Sequence, residues 1–212
     1  MVWGRRSAFN VQKVLWLLDE LEVPFSPRNA GGAFGGLGSP QFLAMNPHGR
    51  VPVLSDGDHV VWESHAILRY LAATYGRERF WPAAPAARTR IDGWMDWAQT
   101  TLQPDFMRLF WSFYRTPEEQ RDWEQIQAAL KACDQHFRLL DRWLEGRSYL
   151  AGAEFTLADI PAGTALYRYF EMGLEVARHP NVVSWYAHLS ERPAYREHVM
   201  VPFDELRGRV QF

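Results

Sequence analysis

The chain has 212 residues, of which 47% are hydrophobic and 15% aromatic, and its formal net charge is −2. This composition is typical of a globular protein with one large domain or two smaller ones, and it excludes a disordered chain. Because the net charge is close to zero and the sequence has no run of like charges, nucleic acid is not expected as a partner.

The cysteine content and the search for targeting signals predict the cellular compartment of the protein. Cys133 is the single cysteine of the sequence, so an intramolecular disulfide and a C-x-x-C redox pair are excluded, which fits a reducing compartment. The first residues lack the apolar core of a signal peptide, and no stretch has the length and hydrophobicity of a membrane span. We therefore predict a soluble cytoplasmic protein without a membrane partner. The scattered histidines form no known metal-binding motif, so no metal is expected.

The start of the chain predicts a strand, a helix and a second strand. Val2 and Trp3 form a short strand, and a loop follows from Gly4 to Asn10. A helix then runs until Pro24, and a second strand is expected from Pro24 to Asn29. The apolar residues of the helix recur at helical spacing: Val11, Val14, Leu15, Leu18 and Leu21.

Glycine dominates the segment from Ala30 to Gly38, which predicts a loop without regular structure. The segment lacks the G-x-x-x-x-G-K-[ST] order of a phosphate-binding loop, so nucleotide binding is not expected. Phe34 in this loop is interpreted either as a packing anchor or as a ring that closes over a ligand. Ser39 and Pro40 then begin a short helix that runs to Met45.

Residues 46–70 combine a turn, a hairpin and a helix start in one run. Pro52 has no amide hydrogen, so it is predicted to lie at the first residue of a strand or on an edge, and a cis Val51–Pro52 bond is considered. Asp56 and Gly57 predict a hairpin whose second strand is His59–Trp62.

Glu63 and Ser64 stand at the start of the next predicted helix, Ser64 to Tyr75, which ends at Gly76. Their carboxylate and hydroxyl have two interpretations. They cap the helix, or they hold the ammonium and carboxylate groups of a ligand together with the free amide groups of the first turn.

Composition changes after Gly76, and the segment to Arg88 is interpreted as a linker with a domain boundary near residue 80. A long helix follows from Ile91 to Phe113, with a kink expected at Pro104. A second long helix is predicted from Glu118 to Gly146.

The remaining helical signals complete the second half of the chain. Cys133 lies on the apolar stripe of the second long helix and is expected to be a buried small apolar residue. Thr156 and Asp159 form a predicted capping box, in which each side chain accepts a backbone hydrogen bond from the other residue. Two short helices, Pro180–Leu189 and Arg192–His198, precede a tail that ends at Phe212.

Two groups of motifs carry a family resemblance. The run N-P-x-G-x-V-P-V-L, D-G, E-S-x-A-I-L-x-Y-L lies within residues 46–72, and G-R-R-S-x-x-N-V-Q-K-V-L-W begins at Gly4. Together they resemble the soluble glutathione S-transferases, and the first-helix motif is similar to one bacterial branch of that family. The resemblance implies an α/β plus all-α architecture. A thioredoxin-like glutathione-binding domain occupies residues 1–80, and an all-helical domain with the electrophile pocket occupies residues 81–212.

The resemblance also assigns the residues that bind glutathione. Val51, before the proline Pro52, pairs its backbone with the cysteinyl part of the tripeptide, and Glu63 with Ser64 holds the γ-glutamyl end. Arg50 is expected to pair with the glycine carboxylate, because arginine offers two parallel donors. The loop that contains Phe34 borders the glycine end, whereas His48 is interpreted as a solvated turn residue.

Catalysis requires a group that stabilises the glutathione thiolate, because a free thiol has a pKa of about 8.5 and only the thiolate attacks well. The usual hydroxyl position of the family falls on Ala8, which has nothing to donate. Asn10 is the preferred donor and Ser7 the alternative. A plain helix N-cap is the structural interpretation of both residues. Arg5 and Arg6 either add positive potential or are solvated.

The resemblance places an electrophile pocket on the first long helix, at Phe106, Phe110, Trp111 and Tyr114. The implied activity is conjugation of glutathione, as co-substrate, to small hydrophobic electrophiles by a homodimer with no metal. Two alternatives remain open at this point: glutathione-dependent reduction of disulfides or peroxides, and a binding or regulatory module without catalysis. The sequence does not choose between detoxification, a catabolic step and a stress response as the role.

Overall fold

A computed structural model describes residues 1–76 and 78–210, in which a small mixed sheet is followed by helices. The sheet has the strand order β2-β1-β3-β4, with β1 parallel to β2 and antiparallel to β3, and with β3 antiparallel to β4. The elements of this first part are β1 Val2–Trp3, α1 Phe9–Glu20, β2 Pro27–Arg28, α2 Pro40–Met45, β3 Val53–Asp56, β4 His59–Trp62 and α3 Ser64–Tyr75.

The predicted helix α3 and the hairpin are confirmed, whereas three local predictions in this part are wrong. Helix α1 already begins at Phe9, so Asn10 belongs to its first turn and not to the preceding loop. Strand β2 is limited to Pro27–Arg28, because only these residues pair with β1. The glycine-rich segment contains a regular turn of 3₁₀ helix at Gly32–Phe34.

The second part of the chain is helical, as predicted. Its α-helices are α4 Pro85–Trp97, α5 Gln103–Leu109, α6 Trp123–Leu144, α7 Asp159–Glu171, α8 Pro180–Ser190 and α9 Pro193–His198. None of the helices in the described part of the chain combines the length and apolar character needed to cross a bilayer.

Two predicted helix boundaries are corrected here. The first long helix begins at Pro85, inside the expected linker, and a π-helical stretch at Ala98–Leu102 ends two residues before Pro104. Such a stretch accommodates a proline, which lacks an amide donor for the regular helical pattern. The second long helix begins at Trp123 and not at Glu118, because the Asp122 side chain caps it by accepting from the backbone amides of Glu124 and Gln125.

Helix α1 connects the two parts of the molecule. The ring of Trp16 on this helix is fully buried and lies 5.3 Å from the ring of Phe155 and 4.7 Å from that of Tyr195, both in the helical part. Gly163 of α7 leaves room for this ring, since a Cβ there would lie 3.2 Å from it. The two parts therefore share one continuous hydrophobic core.

The buried side chain of Asp159 organises the start of α7. Its carboxylate accepts hydrogen bonds from the backbone amides of Leu150 and Thr156, both at 2.9 Å, and from Trp185 Nε1 at 3.1 Å. Burial raises the pKa of this carboxyl to about 6, and the hydrogen bonds oppose that effect. The predicted capping box is half correct, because Thr156 Oγ1 accepts from the amide of Ala158 and not from that of Asp159.

Candidate active site

The loop between β1 and α1 lies beside the turn that precedes β3. Gly4 in this loop has φ +146°, and a side chain there would overlap Val11 and lie 3.1 Å from the Cβ of Val51. Both the backbone conformation and the available space therefore require glycine at this position. The contact brings the first turn of α1 next to Val51, although the two are distant in sequence.

The Val51–Pro52 peptide bond is cis. Pro52 is buried and Val51 is half-buried. Within residues 1–76 and 78–210, neither the N–H nor the C=O of Val51 forms a backbone hydrogen bond. An extended peptide could therefore pair with this backbone in the way that an added strand pairs with a sheet edge.

Asn46 holds the turn in front of Val51, and the sequence analysis did not identify it. Its buried amide donates to the carbonyl of Arg50 at 2.8 Å and accepts from the amide of His48 at 3.0 Å. Asn46 was quoted only as part of a motif, and its double hydrogen bond depends on the shape of the turn. His48 is exposed, as expected for a solvated turn residue, and its ring lies 5.2 Å from that of Trp62 on the hairpin.

Glu63 and Ser64 lie at the same end of the hairpin as Pro52. Val53 is paired with Trp62 across the two strands, so the next positions, Pro52 and Glu63, are neighbours. Glu63 has φ +67° and its side chain forms no capping hydrogen bond, so the helix-cap interpretation of this carboxylate is wrong. Ser64 is buried and begins α3, where the amide groups of the first turn point towards the hairpin end.

The structure excludes a capping role for Asn10 and Ser7, because the N-cap of α1 is Ala8. In the described part of the chain, the side chain of Asn10 forms no hydrogen bond, and its buried Oδ1 atom has no partner. Buried polar atoms without partners are rare in folded proteins and often mark a functional site. Oδ1 can only accept a hydrogen bond, whereas the Nδ2 group, which donates to none of the described residues, is the atom that can donate to a ligand.

The hydroxyl of Ser7 already has a partner. It donates to the carboxylate of Glu205 in the C-terminal segment, residues 199–210, which follows α9. The carbonyl of Ser7 accepts from Arg168 Nη2 at 2.6 Å. Because the one proton of this hydroxyl is engaged, Asn10 is better placed than Ser7 to donate to a ligand.

Arg168 is a second residue that sequence analysis missed. It is 3% exposed and donates to Ser7 and, at 3.2 Å, to Gln12 Oε1. Its guanidinium also lies 5.3 Å from the ring of Phe110 and 5.8 Å from that of Phe9. Burial, followed by the charge of Arg5, lowers the pKa of Arg168 to about 9. Through its hydrogen bond to the carbonyl of Ser7, this arginine of α7 holds the loop before α1 against the helical domain.

Phe34 and Arg50 are both exposed. The ring of Phe34 is 57% exposed, so its interpretation as a packing anchor is wrong. The carbonyl of Arg50 is held by Asn46, whereas its guanidinium makes no ion pair or hydrogen bond with the described residues.

Three of the four predicted pocket residues stack along one side of α5 and of the π-helical stretch Phe110–Arg115 that continues it. The rings of Phe106 and Phe110 are 6.0 Å apart, and those of Phe110 and Tyr114 are 5.2 Å apart. Phe106 also lies 5.5 Å from the ring of Phe9, next to Asn10. Trp111 does not join this stack: it is 41% exposed and lies under the guanidinium of Arg115 at 3.8 Å.

The far end of this aromatic stack is covered by the C-terminal segment. The ring of Phe203 lies 4.8 Å from that of Tyr114 and 5.9 Å from that of Phe110. All three rings are buried. The predicted pocket rings Phe106, Phe110 and Tyr114 are thus part of the packed core, and the cavity beside Ser7 is lined instead by other side chains, among them Phe34, Met200 and Val201.

Comparison with known proteins agrees with this arrangement. The sequence-family model of the glutathione S-transferase N-terminal domain matches residues 1–73, and the family model of the C-terminal domain matches residues 102–193. Glutathione S-transferase GstB of Escherichia coli strain K12 is 45% identical over 203 residues, which cover 95% of this chain and 98% of the relative. The chain belongs to the glutathione S-transferase family.

Solved structures of other transferases have the same fold. The theta class glutathione S-transferase of Xanthomonas axonopodis pv. citri with glutathione bound has 45% identity and a TM-score of 0.90, and the match covers 95% of this chain and 97% of that one. Glutathione transferase F2 of Populus trichocarpa has 26% identity and a TM-score of 0.83, over 93% of this chain and 96% of that one. The thioredoxin-like domain and the helical domain expected from sequence are thus confirmed, and the protein is a glutathione transferase.

Behind the candidate site, this glutathione transferase buries a lysine. Lys13 of α1 is fully buried, and its ammonium donates to Gln103 Oε1 at 2.6 Å and lies 3.3 Å from His65 Nε2. Burial, followed by the charge of Lys13, lowers the pKa of His65 to about 2, so this ring is neutral. Lys13 therefore ties α1 both to α3 and to the helical domain.

Burial lowers the pKa of Lys13 to about 7, against about 10.4 for an unfolded chain. Between these two values the unfolded state binds more protons at this site, so the contribution of Lys13 to stability rises with pH. We expect the stability difference between the native transferase and Lys13→Met to shift in favour of the native protein from pH 7 to pH 9. The limiting slope is about 1.4 kcal/mol per pH unit.

Urea unfolding at one fixed protein concentration measures this difference. Groups that both proteins share, such as Cys133, whose pKa burial raises to about 12, cancel in the subtraction. A difference that does not change with pH would show that Lys13 stays charged in the folded protein.

Proposed function

We propose that this transferase binds glutathione in an extended pose and conjugates it to small hydrophobic electrophiles. The observation that carries the proposal is the meeting of the loop before α1 with the Val51–Pro52 turn and the hairpin end at Glu63. These are the places where the fold leaves polar groups of Val51, Glu63 and Asn10 without a hydrogen-bond partner among the described residues.

In the proposed binding mode, different residues of the site bind different parts of glutathione. The backbone of Val51 pairs with the cysteinyl unit, and Glu63 with Ser64 binds the ammonium and carboxylate of the γ-glutamyl unit. Arg50 binds the glycine carboxylate, and the exposed ring of Phe34 lies at that end. The glutathione-bound theta class relative supports this proposal, because it is 45% identical to this chain.

The chemical step follows from the surroundings of Asn10. Its amide and the positive end of α1 stabilise the thiolate by a charge-assisted hydrogen bond and a dipole. One such bond, at roughly 1.5–3 kcal/mol, corresponds to about one or two pKa units. The thiolate then attacks an electrophilic carbon in the open space beside the loop that contains Ser7. The sulfur–carbon bond forms, the leaving group departs with its electron pair, and the thiol proton goes to solvent.

A direct test compares turnover of a chlorodinitrobenzene-type electrophile with turnover of a glutathione mixed disulfide. Conjugation is expected to be the faster reaction, with a thiolate band in the ultraviolet spectrum of the complex. Faster reduction of the disulfide would favour the reductase activity. Binding of glutathione without a thiolate band would favour a module without catalysis.

Glu63→Ala is expected to raise the Kd for glutathione about 10- to 100-fold, because a hydrogen bond to a charged group contributes roughly 1.5–3 kcal/mol. Isothermal calorimetry measures the change. Glu22→Ala is a matched control, because Glu22 is also exposed and has φ +56°. Equal affinity of both variants would remove Glu63 from the binding site.

We also propose a cytoplasmic homodimer of the bacterial branch that has the G-R-R-S-x-x-N-V-Q-K motif, with detoxification as its role. The proposed domain boundary near residue 80 lies between the two matched regions, residues 1–73 and 102–193. Size-exclusion chromatography with light scattering tests the dimer: a mass of one chain across the micromolar range would contradict it.

A further inference from the structure

The guanidinium of Arg168 lies at the N-terminal end of α1, although the residue belongs to α7 in the helical domain. It donates to the carbonyl of Ser7 at 2.6 Å and to Gln12 Oε1 at 3.2 Å. The first acceptor precedes the N-cap Ala8, and the second lies on the first turn of α1. Arg168 therefore contacts α1 and its preceding loop at the end where Asn10, the proposed donor to the thiolate, is located.

The surroundings of the Arg168 guanidinium are mainly aromatic. Its Cζ atom lies 5.8 Å from the ring centre of Phe9, 5.3 Å from that of Phe110 and 5.6 Å from that of Phe203. Both of its hydrogen bonds to described residues end on uncharged oxygens, and its buried Nε atom has no hydrogen-bond partner there. Because the side chain is buried, water and salt screen its electrostatic field only weakly.

Four ionisable side chains act on Arg168 from the elements packed around it. Its interactions with Glu205 and Tyr114 raise the pKa of the guanidinium, whereas those with Arg5 and Arg115 lower it. Burial is the largest effect, and together these causes lower the pKa to about 9. Arg168 therefore stays charged at neutral pH.

Burial of this charge is unfavourable for the fold. Two hydrogen bonds to uncharged oxygens replace the hydration of a guanidinium only in part. The Glu205 carboxylate interacts with Arg168 electrostatically but accepts a hydrogen bond from the Ser7 hydroxyl. An uncharged donor such as glutamine would hold the carbonyl of Ser7 at a lower cost in desolvation. The geometry therefore assigns a role to the charge itself.

We infer that Arg168 is a positioning residue for catalysis: it fixes the loop before α1, and its positive charge stabilises the glutathione thiolate from inside the fold. The inference rests on the proposed function, which places the sulfur beside Asn10. Arg168 does not touch the sulfur. Asn10 donates the direct hydrogen bond in this arrangement, and Arg168 adds an electrostatic contribution over a longer distance. The helical domain thereby takes part in the activation of glutathione.

The test compares a neutral with a charged substitution at the same position. Arg168→Gln removes the charge and is expected to raise the thiol pKa of bound glutathione by about one unit, the lower end of the shift caused by a nearby opposite charge. Arg168→Lys keeps the charge, so its effect on the pKa should be much smaller. The pKa is read from the thiolate absorbance of the complex as a function of pH. The acidic limb of the pH profile of kcat should move by the same amount.

Three controls separate this effect from a displaced loop. S-methylglutathione has no ionisable sulfur, so its Kd, measured by calorimetry, should be the same in the variants and in the native protein. Arg168→Met is a second neutral variant if Arg168→Gln does not fold, because methionine fills the space among the three rings without a charge. Arg178→Gln should leave the thiol pKa unchanged. Arg178 also donates to a backbone carbonyl and lies over a ring, but both belong to Phe170 of the helical domain.

A higher thiol pKa in the neutral variants, with little change in Arg168→Lys and Arg178→Gln, supports the inference. Equal pKa values in the native protein and the neutral variants overturn it, and so does a rise in Arg168→Lys as large as that in Arg168→Gln. A loss of S-methylglutathione affinity that parallels the rise in pKa also overturns it. In all these cases a thiolate band in the native complex leaves conjugation intact, whereas a native complex without that band contradicts the proposed function itself.

Discussion

Asp159→Ala is expected to lower the free energy of unfolding by roughly 3–5 kcal/mol, a large share of the roughly 5–15 kcal/mol typical of a folded protein. The substitution leaves three buried N–H donors without an acceptor, namely the amides of Leu150 and Thr156 and the indole nitrogen of Trp185, and it also removes the acceptor of the Thr156 hydroxyl. Each buried group that loses its partner costs about 1–3 kcal/mol. Urea denaturation at fixed protein concentration measures the loss.

A comparison of Asp159→Asn with Asp159→Ala separates the loss of hydrogen bonds from the loss of side-chain packing. Asparagine has the same shape and keeps one acceptor oxygen, so we expect a loss of about 1–2 kcal/mol. Because Asp159 belongs to the shared core and not to the candidate site, folded Asp159→Asn should bind glutathione normally. If Asp159→Ala loses less than about 1 kcal/mol, the three donors must find other acceptors.

Asn10→Ala is expected to lower kcat about 10- to 100-fold while changing the Kd for glutathione much less. The amide stabilises the thiolate, whereas the tripeptide is held mainly elsewhere. The loss corresponds to one charge-assisted hydrogen bond of roughly 1.5–3 kcal/mol. The pKa of bound glutathione, read from its thiolate absorbance as a function of pH, should rise by about one or two units.

Two further variants make the assignment of Asn10 specific. Asn10→Asp has the same shape but a negative charge, so it should raise the thiol pKa more than Asn10→Ala does. Ser7→Ala removes a hydroxyl that donates to Glu205, so its effect on the thiolate should be smaller. An unchanged thiolate band in Asn10→Ala together with its loss in Ser7→Ala would transfer the role to Ser7.

Short sequence motifs were sufficient to predict several helix ends and turns. Gly76 and the start at Ser64 predicted both ends of α3, and Asp56 with Gly57 predicted the hairpin. Backbone conformation at these positions depends on the residue and its immediate neighbours. The start of α6 was predicted too early, because Glu118–Gln120 form a separate 3₁₀ turn and the helix begins only after its cap at Asp122.

Other features depend on contacts between distant parts of the chain. Arg168 and Ser7 are 161 residues apart, and the covering of the aromatic stack by Phe203 joins the C-terminal segment to α5. Hydropathy and spacing treat Arg168 as one more polar residue of a helix. Its burial against Phe9 and Phe110 follows only from the way in which α7 packs on α1.

The sequence by itself determined the family, the two-part architecture and the residues that border the proposed glutathione site, because ordered motifs and local turns carry that information. Only the tertiary structure decided that Ser7 is engaged by Glu205, that Asn10 keeps a buried oxygen without a partner in the described chain, and that the buried Arg168 holds the loop before α1. These properties arise from burial and electrostatic fields, which depend on the distances between groups in space and not on their spacing along the chain.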